Sequence, residues 1–146
     1  MTDVHIAVGV LAIVLTSAAA LYGTWCWFRG GHSRWFWWIL RAGQVVIVLQ
    51  AALGGVLVLL GHKPPSLHVI YGVLPLLVSF VAEQLRIASA QMVLDASGFQ
   101  SAAAVGELPD DQQQAVVYAI LHRELGVMVL AAFVIVVLLA RAAGTA

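Results

Sequence analysis

The stretch QAALGGVLVLLGHKPPSLHVIYG, residues 50–72, decides the fold because it joins two long apolar runs through one short polar break. Pro64 and Pro65 cannot continue a helix, and Ser66 is a good N-cap for a new one. A helix needs about 20 apolar residues to cross the hydrocarbon core of a bilayer. The break therefore predicts two membrane-spanning helices that run in opposite directions.

The rest of the chain repeats this pattern of apolar runs and polar breaks, so that four spans are predicted. They cover about 4–27, 36–60, 67–88 and 115–140. The first run is too long for the core of a signal peptide and lacks a basic region before it, which indicates a retained span. Residues 91–114, with several acidic residues and glycines, are predicted to form the one long loop, with room for a short interfacial helix. We expect a single all-α domain over residues 1–146, an integral membrane four-helix bundle.

Composition supports the membrane assignment and excludes several classes of function. The chain is 62% hydrophobic and 10% charged, with a mean hydropathy of +0.99, which no soluble globular domain approaches. Its formal net charge is zero, so no basic field points to nucleic acid as a partner. Cys26 is the one cysteine, which excludes an internal disulfide and any multi-cysteine metal or iron–sulfur site.

Arginine distribution predicts the orientation of the bundle. Lys63 and Arg141 lie on one side, and five arginines lie at the ends joined by the first and third loops: Arg29, Arg34, Arg41, Arg86 and Arg123. The positive-inside rule then places both termini on the outer side. All five tryptophans crowd the first inner loop, as an aromatic belt at one interface would: Trp25, Trp27, Trp35, Trp37 and Trp38. We expect a multi-pass protein of the cell membrane, most simply a bacterial cytoplasmic membrane.

One five-residue phrase, His-x-x-x-Gly, occurs three times. It reads HIAVG at 5–9, HVIYG at 68–72 and HRELG at 122–126. A glycine one helical turn beyond a histidine places an imidazole beside bare backbone, which is the local shape that a flat macrocycle such as heme needs. Spans 1 and 3 run from outside to inside, so His5 and His68 should lie at the same outer depth. Span 4 runs the other way and places His122 near the inner face.

The residues below each histidine separate the three sites further. Small side chains continue below His5 (Gly9, Ala12, Thr16, Ala19, Gly23) and below His68 (Gly72, Pro75, Ser79, Ala82), whereas Val129 and Phe133 follow Gly126 below His122. A small stripe lets helices approach closely, and equally leaves space for the edge of a porphyrin. We therefore predict His5 and His68 as facing ligands of one heme iron. The alternative is that each histidine simply lies among lipid head groups.

Polar residues inside the spans were assigned in the same way. Gln44 and Gln50 should face the bundle interior, where an interhelical hydrogen bond is a simpler interpretation than contact with a cofactor. Gln50 and Gly54 lie on the route toward the outer histidines and are included in the predicted heme site. Glu83 and Arg86 are predicted to form an inner-surface ion pair, and Arg123 and Glu124 a similar one.

The segment from Gln50 to His68 resembles the heme A synthase family, in which a Gln-x-x-Leu-Gly segment, a short Pro-containing outer turn and Leu-His follow one another. The matching residues are Gln50, Leu53, Gly54, Pro65, Leu67 and His68. Members of that family join two four-helix units, each with a pair of outer histidines for heme. The resemblance implies that His68, and with it His5, are axial ligands. It covers about 20 residues closely and about 90 loosely.

The chain also departs from that family's pattern. Thr2 stands where the catalytic-type unit has a glutamate, Ile6 where it has an arginine, and Leu57 where it has a threonine. The outer-loop cysteine pair is missing too. These departures argue against an enzyme that oxidises a heme methyl group.

Three functions follow from the sequence. The first is a b-type cytochrome-like protein that binds heme b through His5 and His68 for electron transfer or heme handling, with Gly9 and Gly72 making room for the ring. The second is a cofactor-free accessory or assembly subunit of a larger respiratory membrane complex. The third is a half-size heme-modifying protein that works as a homodimer. The expected partners are the lipid bilayer and either respiratory subunits or a second copy of the chain.

Overall fold

A computed structural model of the protein describes residues 2–99 and 101–145, and every regular element in that part of the chain is an α-helix. The helices are α1 (Thr2–Arg29), α2 (Arg34–Leu59), α3 (Ser66–Ala96), α4 (Ala102–Val105) and α5 (Asp110–Ala143). All but α4 are long and apolar enough to cross a membrane, with mean hydropathy between 1.6 and 2.7 over their most apolar windows. The prediction of an all-α chain with four candidate membrane spans is therefore confirmed.

Packing within the bundle follows the order α2, α1, α5, α3. Helix α1 packs against both α2 and α5, α3 packs mainly against α5, and the direct packing of α2 on α3 is slight. Consequently α1 and α3 lie on one diagonal of the bundle. We call the end at which α1 and α3 begin the terminal end, and the end that carries the five tryptophans the tryptophan end.

The prediction that residues 91–114 form one long loop is wrong in its bounds, although the short helix for which it left room is present as α4. Helix α3 continues to Ala96 and α5 already begins at Asp110, with the short α4 between them. At about 1.5 Å per residue, α3 and α5 reach roughly 46 and 51 Å, well beyond a hydrocarbon core of about 30 Å. Acidic residues suggested a loop, but a carboxylate in the first turn of a helix is stabilised by the helix dipole, as for Asp110 and Asp111 in α5.

At the first two breaks the helix ends agree with the prediction, except for the N-cap of α3. The Ser33 hydroxyl caps α2 by accepting a hydrogen bond from the Trp35 amide at 3.2 Å. Ser66, which was predicted to be the N-cap of α3, is instead its first residue, and Pro65 is the N-cap without a side-chain hydrogen bond. The ring of Pro65 fixes its backbone in an extended conformation, which sets the direction in which the chain enters α3. A hydroxyl cap is therefore not needed.

The small stripe of α1 faces the bundle interior. Ala12, Thr16, Ala19 and Gly23 are all buried, and the Thr16 hydroxyl donates to the Ala12 carbonyl at 2.7 Å, so its polarity is satisfied within the helix. On α3, Pro75 and Ala82 of the predicted small stripe below His68 are buried in the same way. Small residues on both diagonal helices let the neighbouring helices approach closely.

Candidate functional site

His5 and His68 meet at the terminal end of the bundle. Each lies in the first turns of its own helix, α1 or α3, and each is partly buried. Their ring centroids are 6.0 Å apart and their planes are inclined by 59°. Two imidazoles on opposite sides of one metal ion have centroids about 6 Å apart, since each metal–nitrogen bond is about 2 Å long and the nitrogen lies about 1 Å from the ring centre.

His68 is held by the backbone of α5. Its Nδ1 lies 2.9 Å from the carbonyl oxygen of Ala142. Because a carbonyl only accepts, Nδ1 carries the proton and Nε2 keeps a free lone pair. This is the arrangement of a metal-ligating histidine, in which one nitrogen donates to a backbone carbonyl and fixes the tautomer while the other is available to the metal.

His5 is held by helix α2. Its Nε2 lies 3.2 Å from the side-chain nitrogen of Gln50, so the interhelical hydrogen bond predicted for Gln50 is present, and its partner is the histidine. Two glycines make this possible. A Cβ on Gly54 would lie 3.3 Å from Cε1 of His5, and a Cβ on Gly9 would lie 2.9 Å from the Gln50 side-chain nitrogen. Gly9 and Gly54 therefore accommodate the side chains of Gln50 and His5.

Two polar atoms at this place have no hydrogen-bond partner within the described part of the chain. They are Nδ1 of His5 and the side-chain oxygen of Gln50, and both are buried. An unsatisfied buried polar group costs about 1–3 kcal/mol. When the Gln50 amide is turned so that its oxygen accepts from Nε2, Nδ1 of His5 presents a free lone pair. The pair of histidines then offers one free nitrogen each.

The donor set also limits which metal group fits. Among residues 2–99 and 101–145 no group of three or more His, Cys, Asp or Glu side chains could hold a metal ion. Two imidazoles suit a metal that brings its remaining ligands with it, as iron does in a porphyrin. Gly72, one turn beyond His68, has nothing within 4 Å of the position of an added Cβ, so there is open space beside α3 at this depth.

Replacing Gln50 by leucine is expected to destabilise the protein by about 1–3 kcal/mol, because Nε2 of His5 loses its partner while it stays buried. The measurement is the apparent melting temperature of the detergent-solubilised protein. Gln84→Leu is the matched control, since Gln84 is an exposed residue of α3. Equal melting temperatures for the two variants would show that the Gln50–His5 contact contributes nothing.

The other site of interest is a network of charged side chains nearer the tryptophan end. Glu83 accepts hydrogen bonds from both terminal nitrogens of Arg41, from Gln44 at 3.1 Å and from Arg86 at 3.1 Å. Arg86 in turn donates to Glu124 at 3.2 Å. The predicted Glu83–Arg86 ion pair is confirmed, and Gln44 bonds across helices as predicted.

The prediction of an Arg123–Glu124 pair is wrong. Glu124 pairs with Arg86 on α3, and the Arg123 guanidinium reaches the sulfur of Met92 at 3.8 Å. Neighbouring residues in a helix point about 100° apart, so they do not face each other. The part of Arg41 in the network was not predicted, because its partner is 42 residues away and only the packing of α2 near α3 brings the two together.

His122 lies at the tryptophan end, far from the other two phrases. Its ring stacks between Trp27 and Tyr118, with centroids 5.8 Å from each. The glycine of its phrase, Gly126, faces the Trp27 indole, whose nitrogen would lie 3.2 Å from an added Cβ. The histidine phrases thus divide between the two ends of the bundle.

No family model, curated protein or solved structure matches this chain.

Proposed function

We propose that the protein is a heme-binding, b-type cytochrome-like membrane protein in which His5 and His68 are the axial ligands. The observation that carries this proposal is the facing pair itself, with ring centroids 6.0 Å apart. Each imidazole is held through one nitrogen, by Gln50 or by the Ala142 carbonyl, which leaves the other for iron. The resemblance to heme A synthase over Gln50 to His68 points the same way.

The protein's own part in such a site is to hold and orient the two imidazoles. Gln50 and the Ala142 carbonyl fix the ring orientations from two different helices, α2 and α5. The open space beside Gly72, one turn beyond His68, would admit the edge of a ring. A bound heme supplies one-electron redox chemistry, and two histidine ligands suit it to electron transfer rather than to substrate binding.

We further propose that the terminal end faces the outside of a cell membrane, as in bacterial cytoplasmic membranes. Five arginines lie toward the tryptophan end, and only Lys63 and Arg141 lie toward the terminal end. The tryptophans add an interfacial belt on the arginine-rich side. Electrons would then be exchanged with a partner on the outer side, such as a subunit of a respiratory complex, or within a homo-oligomer.

A reduced-minus-oxidised absorption spectrum of the purified protein tests the proposal. The expected result is a low-spin heme b spectrum with about one heme per chain, lost in both His5→Ala and His68→Ala. His62→Ala is the matched control, because His62 is an exposed histidine in the turn at the same end and should leave the spectrum unchanged. Full low-spin heme in either ligand variant would overturn the assignment.

A second pair of variants tests the position of the ring without removing a ligand. Gly72→Leu fills the open space beside His68 and should reduce the heme content at least fivefold. Gly55→Leu makes the same change on α2, where an added Cβ also meets nothing within 4 Å, and should retain heme. If both variants keep heme, the ring does not lie beside Gly72.

A second candidate function is a cofactor-free accessory or assembly subunit of a larger respiratory membrane complex. The observation that favours it is that Gln50 and His5 already take up the space beside Gly9 and Gly54. In that case the His5–Gln50 contact serves helix packing. A colourless protein that co-purifies with a respiratory oxidase at a fixed stoichiometry would support this function over heme binding.

A further inference from the structure

Two adjoining cavities at the tryptophan end form a second candidate site, separate from the His5–His68 pair. One has a volume of about 310 Å³ and lies between His32 and the first turns of α5; the other has a volume of about 360 Å³ and lies between the end of α1 and His122. Both cavities are open to the surface, and they meet at the side chain of Tyr118, which lines both. We call this pair of cavities, with His32, Tyr118, His122 and Trp27 as its rings, the inner groove.

The wall of the inner groove is a series of aromatic rings. His122 stacks on Trp27 with planes 27° apart and on Tyr118 with planes 12° apart, and His32 meets the Tyr118 ring edge-on at 5.5 Å. These separations lie in the range of favourable offset and edge-to-face contacts. Tyr118 is also fixed by Gly30, whose positive φ of 65° and missing side chain let the phenol hydroxyl lie against the backbone.

The polar atoms of these rings are available to a ligand. In the part of the chain that the structure describes, hydrogen bonds engage the imidazoles of His5 and His68 and the phenol of Tyr22, and none engages His32, Tyr118 or His122. Two imidazoles and a phenol thus line the groove as hydrogen-bond donors without an internal acceptor.

The depth of the inner groove allows a ligand to enter from the bilayer. Along α5, His122 lies 20 residues from Ala142, which is about 30 Å and equals the thickness of the hydrocarbon core. The groove is therefore at the membrane boundary opposite the His5–His68 pair. Phe28, which lines the cavity and is 80% exposed, and Leu121 offer apolar surface on its lipid side. A molecule with a polar ring and an apolar tail fits this position.

Charge further narrows the class of ligand. Asp110 lines one cavity, and no lysine or arginine is among the described residues that line either of them. A phosphate head group would meet a carboxylate and no cation, so an anionic lipid is disfavoured. A neutral, flat ring can stack on the aromatic wall, and its carbonyl oxygens can accept from imidazole and phenol donors.

We propose that the inner groove binds the head group of a membrane quinone. His122 and Tyr118 donate to the quinone carbonyls, the Trp27 indole offers aromatic surface beside the quinone ring, and the tail leaves past Phe28 into the bilayer. This binding is independent of the proposed heme, which would lie about 30 Å away at the other end of α5.

Calorimetric titration of the purified full-length protein in detergent with decylbenzoquinone tests the proposal. Saturable binding of one quinone per chain is expected, with 1-decanol as the tail-only control that shows none. Tyr118→Phe keeps the ring and removes the hydroxyl, and His122→Ala removes an imidazole donor. Each should weaken binding at least tenfold.

Tyr22→Phe is the matched control, because the Tyr22 hydroxyl bonds to Ser33 outside the groove, and it should leave the affinity unchanged. Circular dichroism of each variant verifies that it is folded. If His122→Ala does not fold, Tyr118→Phe still tests the proposal, because it removes a single hydroxyl group. Equal binding of 1-decanol, or full quinone affinity in Tyr118→Phe and His122→Ala, would overturn the proposal. Heme absorbance is not used, so loss of the heme proposal would leave this result unaffected.

Discussion

Replacing Glu83 by alanine is expected to lower the free energy of unfolding by about 1–3 kcal/mol, because it leaves two partly buried guanidinium groups without their shared carboxylate. Arg41 would retain only its bond to Gln44, and Arg86 only its bond to Glu124. Glu83 is 23% exposed, Arg86 27% and Arg41 43%, so the network is only partly shielded from its surroundings. The apparent melting temperature in detergent, followed by helical circular dichroism, measures the loss.

Two further variants separate charge from shape in this network. Glu83→Gln keeps the volume and part of the hydrogen bonding but removes the charge. Its melting temperature should therefore lie between those of Glu83→Ala and the native protein. Glu107→Ala is the control for the loss of an acidic side chain, since Glu107 is exposed outside the long helices. A melting temperature of Glu83→Ala equal to that of Glu107→Ala would mean that the network does not stabilise the fold.

The network has a structural role that extends to the histidine pair. It joins α2, α3 and α5 through side chains, at a place where α2 and α3 otherwise pack little on each other. Trp37 lies under both guanidinium groups, 6.0 Å from Arg41 and 5.5 Å from Arg86. His68 belongs to α3. Hydrogen bonds that hold α3 near the tryptophan end therefore also limit the movement of α3 at the terminal end, where His68 faces His5.

Much of the fold could be predicted from hydropathy alone. Spans of about 20 apolar residues and the prolines at 64–65 set the number of long helices and their breaks. The lengths of α3 and α5 could not be predicted. Both helices continue beyond their apolar segments into polar turns, and the composition of these turns is typical of a loop. Gln91 and Asp95, which hydrogen-bond at 2.8 Å one turn apart in α3, show how such a segment stays helical.

For the candidate site, the sequence predicted that His5 and His68 lie at the same level of the bundle. It did not predict which groups hydrogen-bond to the two imidazoles. The partner of His68 is the backbone carbonyl of Ala142, and backbone acceptors have no signature in a sequence. The Gln50–His5 bond was within reach of sequence reasoning, since both are polar residues of apolar helices near the same end of the bundle. Whether Gln50 and His5 meet depends on the rotation of α2 about its axis. Gly9 and Gly54 allow the required rotation because they leave space for these two side chains where α1 contacts α2.

Gly23→Ala is expected to destabilise the protein by about 1–3 kcal/mol, because α1 packs on α2 and α5 with no space for a methyl group at this position. A Cβ on Gly23 would lie 2.8 Å from a ring carbon of Phe36 and 2.6 Å from a methyl carbon of Val129. Phe36 is fully buried and Val129 nearly so, which means that neither can move aside without disturbing the core. Thermal unfolding in detergent measures the effect.

Gly55→Ala isolates the steric cause, because it makes the same change in the last turns of α2, where an added Cβ meets nothing within 4 Å. It should leave stability unchanged or raise it by a few tenths of a kcal/mol up to about 1 kcal/mol, since alanine has the higher helix propensity. If space at Gly23 is what matters, Phe36→Leu in the Gly23→Ala background should recover part of the loss, although Phe36→Leu alone destabilises the core. Additive losses in the double variant would contradict a steric clash with Phe36, and would place the importance of Gly23 on its contact with Val129 of α5.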